Sequence, residues 1–346
     1  MISPKVTLRR GHEARLRAGH PWVFAGDLAE TPPLEDTGNI VEVLDSRGRF
    51  LGMAMYNPRC NLTLRVLTRQ REDIDRRWLA RRLTEALALR SNYLPGLEAL
   101  RLVNAESDGL PAFIVDRYGE YLVVQSLALG ADWLLPDLVA ELVEQLDPEG
   151  IYERSDVPVR ALEGLSERKG VLWGESPPDR IIISEGSYRF HVDLLTGQKT
   201  GFFLDQRPNR QRLLTLAKGK RVLNTFCYSG GFSIAAACGG SAETIGIDLS
   251  ASALELARDN AALNGVADKC HWIADNAFDL LRAFDRGREK FDIVVLDPPS
   301  FTKTKESLPG ACRGYKEINL RAIKLLSPGG ILVSSSCSHH MNQELF

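Results

Sequence analysis

No apolar run in these 346 residues approaches the ~20 residues that a bilayer-spanning helix needs, and Met1 to Arg17 is charged rather than signal-like. No membrane partner is therefore expected. Cysteine is scarce: the six are scattered without metal-ligand spacing. That argues against a metal site or a disulfide framework and for a reduced, cytoplasmic setting. An excess of charge of either sign is also missing, since 43 Lys and Arg against 45 Asp and Glu leave a formal net charge of −2. Any attraction to nucleic acid must then come from local patches. What is present is ordinary globular composition, 44% apolar and 25% charged, with length for two or three domains.

The most informative stretch runs from Arg221 to Asp248. A short apolar run, Val222 to Asn224, leads into the loop Thr225-Phe226-Cys227-Tyr228-Ser229-Gly230-Gly231-Phe232. An Ala-rich helical run follows over Ser233 to Cys238, then an apolar run, Thr244 to Ile247, ending on Asp248. This reads as strand, glycine turn, helix and second strand. In an open α/β sheet the ligand sits beyond the carboxyl ends of the strands, where glycines admit its close approach and an acid can accept from a ribose diol. The loop lacks both G-x-G-x-x-G and a Walker lysine, and holds no basic residue. Pyrophosphate recognition is thereby disfavoured, and with it a nicotinamide dehydrogenase; a phosphate-free nucleoside, S-adenosylmethionine above all, is favoured. Asp248 could instead cap a helix over Ser250 to Asn264.

The rest of the chain supplies the context. Residues 1–70 carry ten basic and seven acidic side chains, and short runs at Asn39 to Asp45, Phe50 to Tyr56 and Leu62 to Thr68 predict a small β-barrel. An amphipathic helix is predicted over Arg76 to Arg90. Strands at Leu100 to Asn104, Ala112 to Asp116, Tyr121 to Leu127 and Gly150 to Arg154, with a helix at Ala131 to Leu146, predict an α+β middle domain. A hairpin over Ile181 to Leu194 opens onto the polar, glycine-rich stretch Thr196 to Asn209, which suits a loop over a ligand, and a helix follows from Gln206 to Leu216. Strands at Thr244 to Asp248, Cys270 to Ala274, Phe291 to Leu296 and Gly330 to Ser334 alternate with helices at Ala251 to Asn264, Ala277 to Asp285 and Tyr315 to Leu326. The expected fold is α/β, a doubly wound, mostly parallel Rossmann-like sheet. The expected domains are 1–72, 73–185 and 186–346.

Three further sites lie at strand ends. In Asp297-Pro298-Pro299-Ser300-Phe301 a buried strand ends in an acid, two prolines freeze the backbone, and an aromatic ring stands beside the opening. Such a ledge can hold a planar base by stacking and hydrogen bonding. Asp275, followed by Asn276, ends another strand where it could accept from an adenine amino group or cap a helix. Cys337, in Ser335-Ser336-Cys337-Ser338-His339-His340, lies just past the last predicted strand, on the edge shared by Gly230, Asp248 and Asp297. Its neighbours are hydroxyls and imidazoles, so it is the candidate nucleophile; the other five cysteines read as small buried hydrophobes.

Gly197 to Arg207, Asn224 to Ser233, Asp297 to Phe301 and Ser335 to His339, taken together, resemble the class I S-adenosylmethionine-dependent rRNA large-subunit methyltransferases of the RlmI type. The N-terminal PUA barrel of that family is matched by Gly19 to Phe24 and Gly52 to Pro58, and its middle domain by Glu106 to Pro111 and Val115 to Tyr118. The resemblance implies methylation of a cytosine at C5 in large-subunit rRNA, with Cys337 as attacker and Asp297, Pro298, Pro299 and Phe301 at the base. It places Lys199, Thr200, Gly201, Phe202, Asp205, Tyr228, Ser229, Gly230, Gly231, Asp248, Asp275 and Asn276 around the cofactor. Expected partners are large-subunit rRNA and, as an open alternative, a second copy of the chain. An amino-group methyltransferase acting on guanine, needing no thiol, and an RNA-binding or assembly factor without turnover are the competing readings. Other RNA cytosine-C5 enzymes carry a second cysteine where Asp297-Pro298-Pro299 stands here, so removal of the C5 proton falls to another base or water. The family continues past the position of Phe346 with two more strands, whose lack would leave an exposed sheet edge and a less stable, less active chain.

Overall fold

The computed structural model describes residues 4–30, 33, 38–302 and 304–346. The chain divides into two compact units: Met1–Ile181 with Val192–Phe202, and Ile182–His191 with Phe203–Phe346.

The first unit begins with a five-stranded barrel-like sheet. Its elements are β1 (Lys5–Thr7), α1 (Ala14–Arg17), β2 (Trp22–Phe24), β3 (Ile40–Leu44), β4 (Phe50–Tyr56) and β5 (Leu62–Thr68), in the strand order β1-β3-β4-β5-β2. Alternation drives it: Val41 and Val43 point inward and pack with Val6, Leu16, Val23, Tyr56 and Leu64. Next come α2 (Arg76–Tyr93), β6 (Ala99–Asn104), β7 (Phe113–Tyr118), β8 (Tyr121–Ser126), α3 (Leu129–Leu146), β9 (Gly150–Ser155), α4 (Val159–Leu162) and β10 (Arg168–Gly174). Asp75 caps α2 by accepting from the Trp78 amide at 3.0 Å. The buried stripe Trp78, Leu79, Leu83 and Ala86 packs, with α3, against a sheet in the order β10-β9-β8-β7-β6. The strand β10 had no signal in the sequence, because most of its residues are exposed and apolar positions do not alternate along it.

The second unit holds most of the hairpin β11 (Ile181–Glu185) and β12 (Tyr188–Val192), and then a five-stranded sheet. Its elements are α5 (Arg207–Leu216), β13 (Arg221–Thr225), α6 (Gly231–Cys238), β14 (Glu243–Asp248), α7 (Ala251–Leu263), β15 (Cys270–Ala274), α8 (Ala277–Gly287), β16 (Phe291–Leu296), α9 (Leu308–Leu325) and β17 (Leu326–Ser334). All pairings are parallel, in the order β15-β14-β13-β16-β17. Successive strand residues face opposite layers: Val222 packs with Leu213 of α5 and Phe232 of α6, whereas Leu223 packs with Leu281 of α8 and Ile318 of α9. Helices therefore cover both faces, as the fold class expected from the sequence requires. Each fully buried aliphatic side chain contributes roughly 1.5–3 kcal/mol.

Two boundaries differ most from the expectation. The helix α9 begins at Leu308 rather than Tyr315, because Pro309 sits in the first turn, where its missing N–H is not needed. The strand β17 begins at Leu326 rather than Gly330; Pro328 is accommodated on the outermost strand of the sheet, next to a register shift opposite Phe291 and Ile293. Among the described residues no helix is long and apolar enough to cross a membrane, and no cluster of His, Cys, Asp and Glu could hold a metal.

Candidate active site

The strand order reverses between β13 and β16, the switch point at whose carboxyl ends open α/β sheets bind their ligands. The loop after β13 is bent there by three positive φ values, Phe226 at 58°, Tyr228 at 48° and Gly230 at 81°. Two of these are non-glycine residues, a strained arrangement that the surroundings must hold. Asp248 does much of the holding: its two carboxylate oxygens accept from the Tyr228 amide at 2.8 Å and the Ser250 amide at 2.9 Å. The cap of α7 is Ser250, whose hydroxyl accepts from Ala253, so capping is not the task of Asp248. Asn260, fully buried, donates to the Ser229 carbonyl at 3.0 Å.

At the end of β15, Asp275 is exposed and its carboxylate accepts from the Asn276 amide, while Asn276 caps α8 by accepting from Phe278. Asp205 is exposed in a short 3-10 turn before α5. Lys199, Thr200, Gly201 and Phe202 belong to the first unit. There the Thr200 hydroxyl donates to buried Asp116 at 2.6 Å and lies 2.9 Å from the Tyr118 hydroxyl. Gly201, at φ 132°, avoids a clash that a Cβ would make with Leu194. Arg154 of the same unit donates to the Leu194 and Gly197 carbonyls and thereby fixes this segment's start.

Beyond β16, Asp297 is half-buried and Gln206 Nε2 donates to both of its oxygens, at 3.2 and 3.1 Å. Asn209 Nδ2 in turn donates to Gln206 Oε1 at 2.7 Å. Burial, reinforced by the nearby Asp205 charge, pushes the Asp297 carboxyl up to about 6. Pro298 is buried and Pro299 exposed. The Phe301 ring is half-buried and packs against Tyr315 at 4.5 Å and Phe278 at 5.7 Å, so part of its surface is taken up inside the protein. Cys337 is the one solvent-exposed cysteine of the six. Its Sγ lies 3.7 Å from the Pro298 carbonyl oxygen. By contrast, burial raises Cys60, Cys227, Cys238 and Cys270 above the ordinary thiol range, which keeps them protonated and inert.

A family model for S-adenosylmethionine-dependent methyltransferases matches residues 168–343, and one for PUA-like domains matches 6–69. The ribosomal RNA large subunit methyltransferase I of Tolumonas auensis is 45% identical over 350 residues, spanning 100% of this chain and 88% of its own length. The chain belongs to the ribosomal RNA large subunit methyltransferase I family. The Aeromonas hydrophila member of the same name is 43% identical with the same coverage. The crystal structure of SMU.776 complexed with SAH, 25% identical, superposes with a TM-score of 0.86 over 100% of this chain and 88% of that one. The chain is accordingly an S-adenosylmethionine-dependent rRNA methyltransferase with an N-terminal PUA-like domain.

The geometry of this family member fits the cofactor. A carboxylate offers about four lone-pair positions; Asp248 spends two on backbone amides, which leaves the others able to accept. Gly230 is required twice over, by its positive φ and because a Cβ would sit 2.6 Å from the Trp272 ring. Trp272 of β15 also presses on Gly246. Gly230→Ala should destabilise the protein by at least about 1–3 kcal/mol and weaken S-adenosylmethionine binding. Adding Trp272→Leu should recover only the clash, as differential scanning fluorimetry with and without cofactor would reveal.

Sequence reasoning missed Gln206, Trp272 and Tyr315. Gln206 had the only available signal, its place beside Asp205 in a stretch too polar for a core.

Proposed function

We propose that this enzyme transfers a methyl group to C5 of a cytosine in large-subunit rRNA through a covalent adduct on Cys337. The observation that carries the reading is the position of the one exposed thiol against the carbonyl of Pro298, the residue directly after Asp297. The printed name of the relatives supplies the substrate class.

C5 of cytosine is a weak nucleophile, and attack at C6 converts C5 into an enamine carbon. In this reading the Cys337 thiolate forms the S–C6 bond, and the C5=C6 electron pair becomes available at C5. Asp297, whose raised pKa leaves part of it protonated near neutrality, holds the N3 edge and gives it a proton as charge develops. Gln206 fixes the rotamer of that carboxyl, and the Pro298-Pro299 backbone keeps the ledge rigid. S-adenosylmethionine supplies the electrophilic methyl group. Once C5 carries the methyl, its proton leaves to a base, the S–C6 bond breaks, N3 returns its proton to Asp297, and the thiolate of Cys337 is regenerated.

The Tyr228 to Gly231 loop, Asp248, Asp275 and Asn276 are the residues proposed to hold the nucleoside. Asp248→Ala should weaken S-adenosylmethionine binding by about 10- to 100-fold, the scale of one or two hydrogen bonds to a charged acceptor, as titration calorimetry would measure. The substrate assignment is tested by transfer of labelled methyl to unmodified large-subunit rRNA, as free RNA and in subunits, followed by nucleoside mass analysis. Label in 5-methylcytosine supports it; label in a methylated guanine replaces it with amino-group transfer.

A further inference from the structure

Cys337 lies in a loop with no regular hydrogen-bond ladder of its own, yet its two flanking residues are tied to one buried phenol. Ser336 Oγ donates to the Tyr315 hydroxyl at 3.0 Å, and the Tyr315 hydroxyl lies 2.9 Å from Ser338 Oγ. Ser338 Oγ lies 3.1 Å from Ser300 Oγ, accepts from the Phe301 amide at 3.1 Å, and is itself buried. Ser300 Oγ donates to the Thr302 carbonyl at 2.7 Å, and the Ser338 amide donates to Ser336 Oγ at 3.3 Å.

These bonds admit one direction. A carbonyl can only accept, so the Ser300 proton is committed to Thr302 and Ser300 must accept from Ser338. Ser338 then accepts from Tyr315, and Tyr315 accepts from Ser336. Every hydroxyl in the row donates once, and the row joins the cysteine loop to the residues directly after Pro298-Pro299. Tyr315 is 3% exposed, and its ring stacks on Phe301. None of these hydroxyls is needed to bury apolar surface, and buried polar rows of this kind define a unique arrangement only when complete.

We infer that Tyr315 is a positioning residue that, through Ser336 and Ser338, locks the Cys337 loop to the Asp297 ledge so that thiol and carboxyl face one base. The inference rests on Cys337 being the nucleophile. A thiolate must approach C6 along a narrow trajectory, and misplacement by about 1 Å can cost about 100-fold in rate.

Tyr315→Phe keeps the ring and removes the hydroxyl. The expected result is a fall in kcat of about 10- to 100-fold, with KM for rRNA and the affinity for S-adenosylmethionine unchanged. In the absence of both substrates, the rate at which iodoacetamide alkylates Cys337, followed by peptide mass spectrometry across pH, should also shift. Ser338→Ala should reproduce both effects. Wild-type kcat and alkylation profile in Tyr315→Phe would overturn the inference, as would a loss of thermal stability with neither kinetic change. Cys337→Ala, run alongside, separates the two claims. If it still makes 5-methylcytosine, the nucleophile assignment has failed; if it is inactive while Tyr315→Phe is normal, only the positioning role has failed.

Discussion

Replacing Cys337 by Ala is expected to abolish formation of 5-methylcytosine, a loss of at least about 10⁴-fold in kcat, the scale seen when a nucleophile acting as part of a unit is removed. S-adenosylmethionine binding and thermal stability should be unaffected, because the side chain is exposed and its contact with the Pro298 carbonyl is long, at 3.7 Å. The loss follows from chemistry rather than packing: without addition at C6, C5 has no electron pair to offer. Nucleoside mass analysis of the rRNA, paired with calorimetry of the cofactor, checks both halves of the expectation. A methylated guanine produced at wild-type rate by the variant would point instead to amino-group chemistry on the same ledge.

Asp297→Asn is expected to do two opposite things. Activity should fall by about 10²- to 10⁴-fold, the usual contribution of a positioned proton donor, since an amide can hold the N3 edge but cannot give it a proton. Stability at pH 7.5 should rise. The folded carboxyl titrates at about 6, above its ordinary value of 3.8, because it is buried and lies near Asp205. The folded state therefore holds this proton more tightly than the unfolded chain does. Ionisation costs stability as pH rises from about 4 through 6, and the full cost, at most about 3 kcal/mol, persists above that. The neutral amide escapes this cost, so the variant's thermal midpoint should exceed that of the wild type at pH 7.5, and the difference should vanish near pH 4. A constant difference at all pH values would show that the Asp297 charge is not the cause.

Much of the fold was legible in the sequence because its signals are local. The run from Val222 to Asp248 states strand, turn, helix and strand in contiguous residues, and Asp297 directly follows an apolar strand while Cys337 lies just past the end of another. What was not legible depends on side chains far apart in sequence. Gln206 meets Asp297 across 91 residues, Thr200 meets Asp116 across 84, and Tyr315 meets Ser338 across 23. Such bonds leave no periodicity to read. The same holds for Trp272, whose ring explains Gly230 and Gly246 but whose own strand shows only that it is aromatic. Pro309 and Pro328 stand inside elements that extend further towards the N-terminus than expected, in a first helical turn and on an outermost strand, the places where a missing N–H costs little.

The most direct test of the account is covalent trapping. Large-subunit rRNA carrying 5-fluorocytidine at its cytosines would be incubated with the enzyme and S-adenosylmethionine. Fluorine at C5 cannot leave as a proton would, so the adduct should persist after methyl transfer. The account predicts a protein–RNA species stable to denaturation, with a methylated fluorocytosine attached to the peptide that contains Cys337. Attachment at another cysteine, or no adduct while unsubstituted rRNA is still methylated, would contradict it.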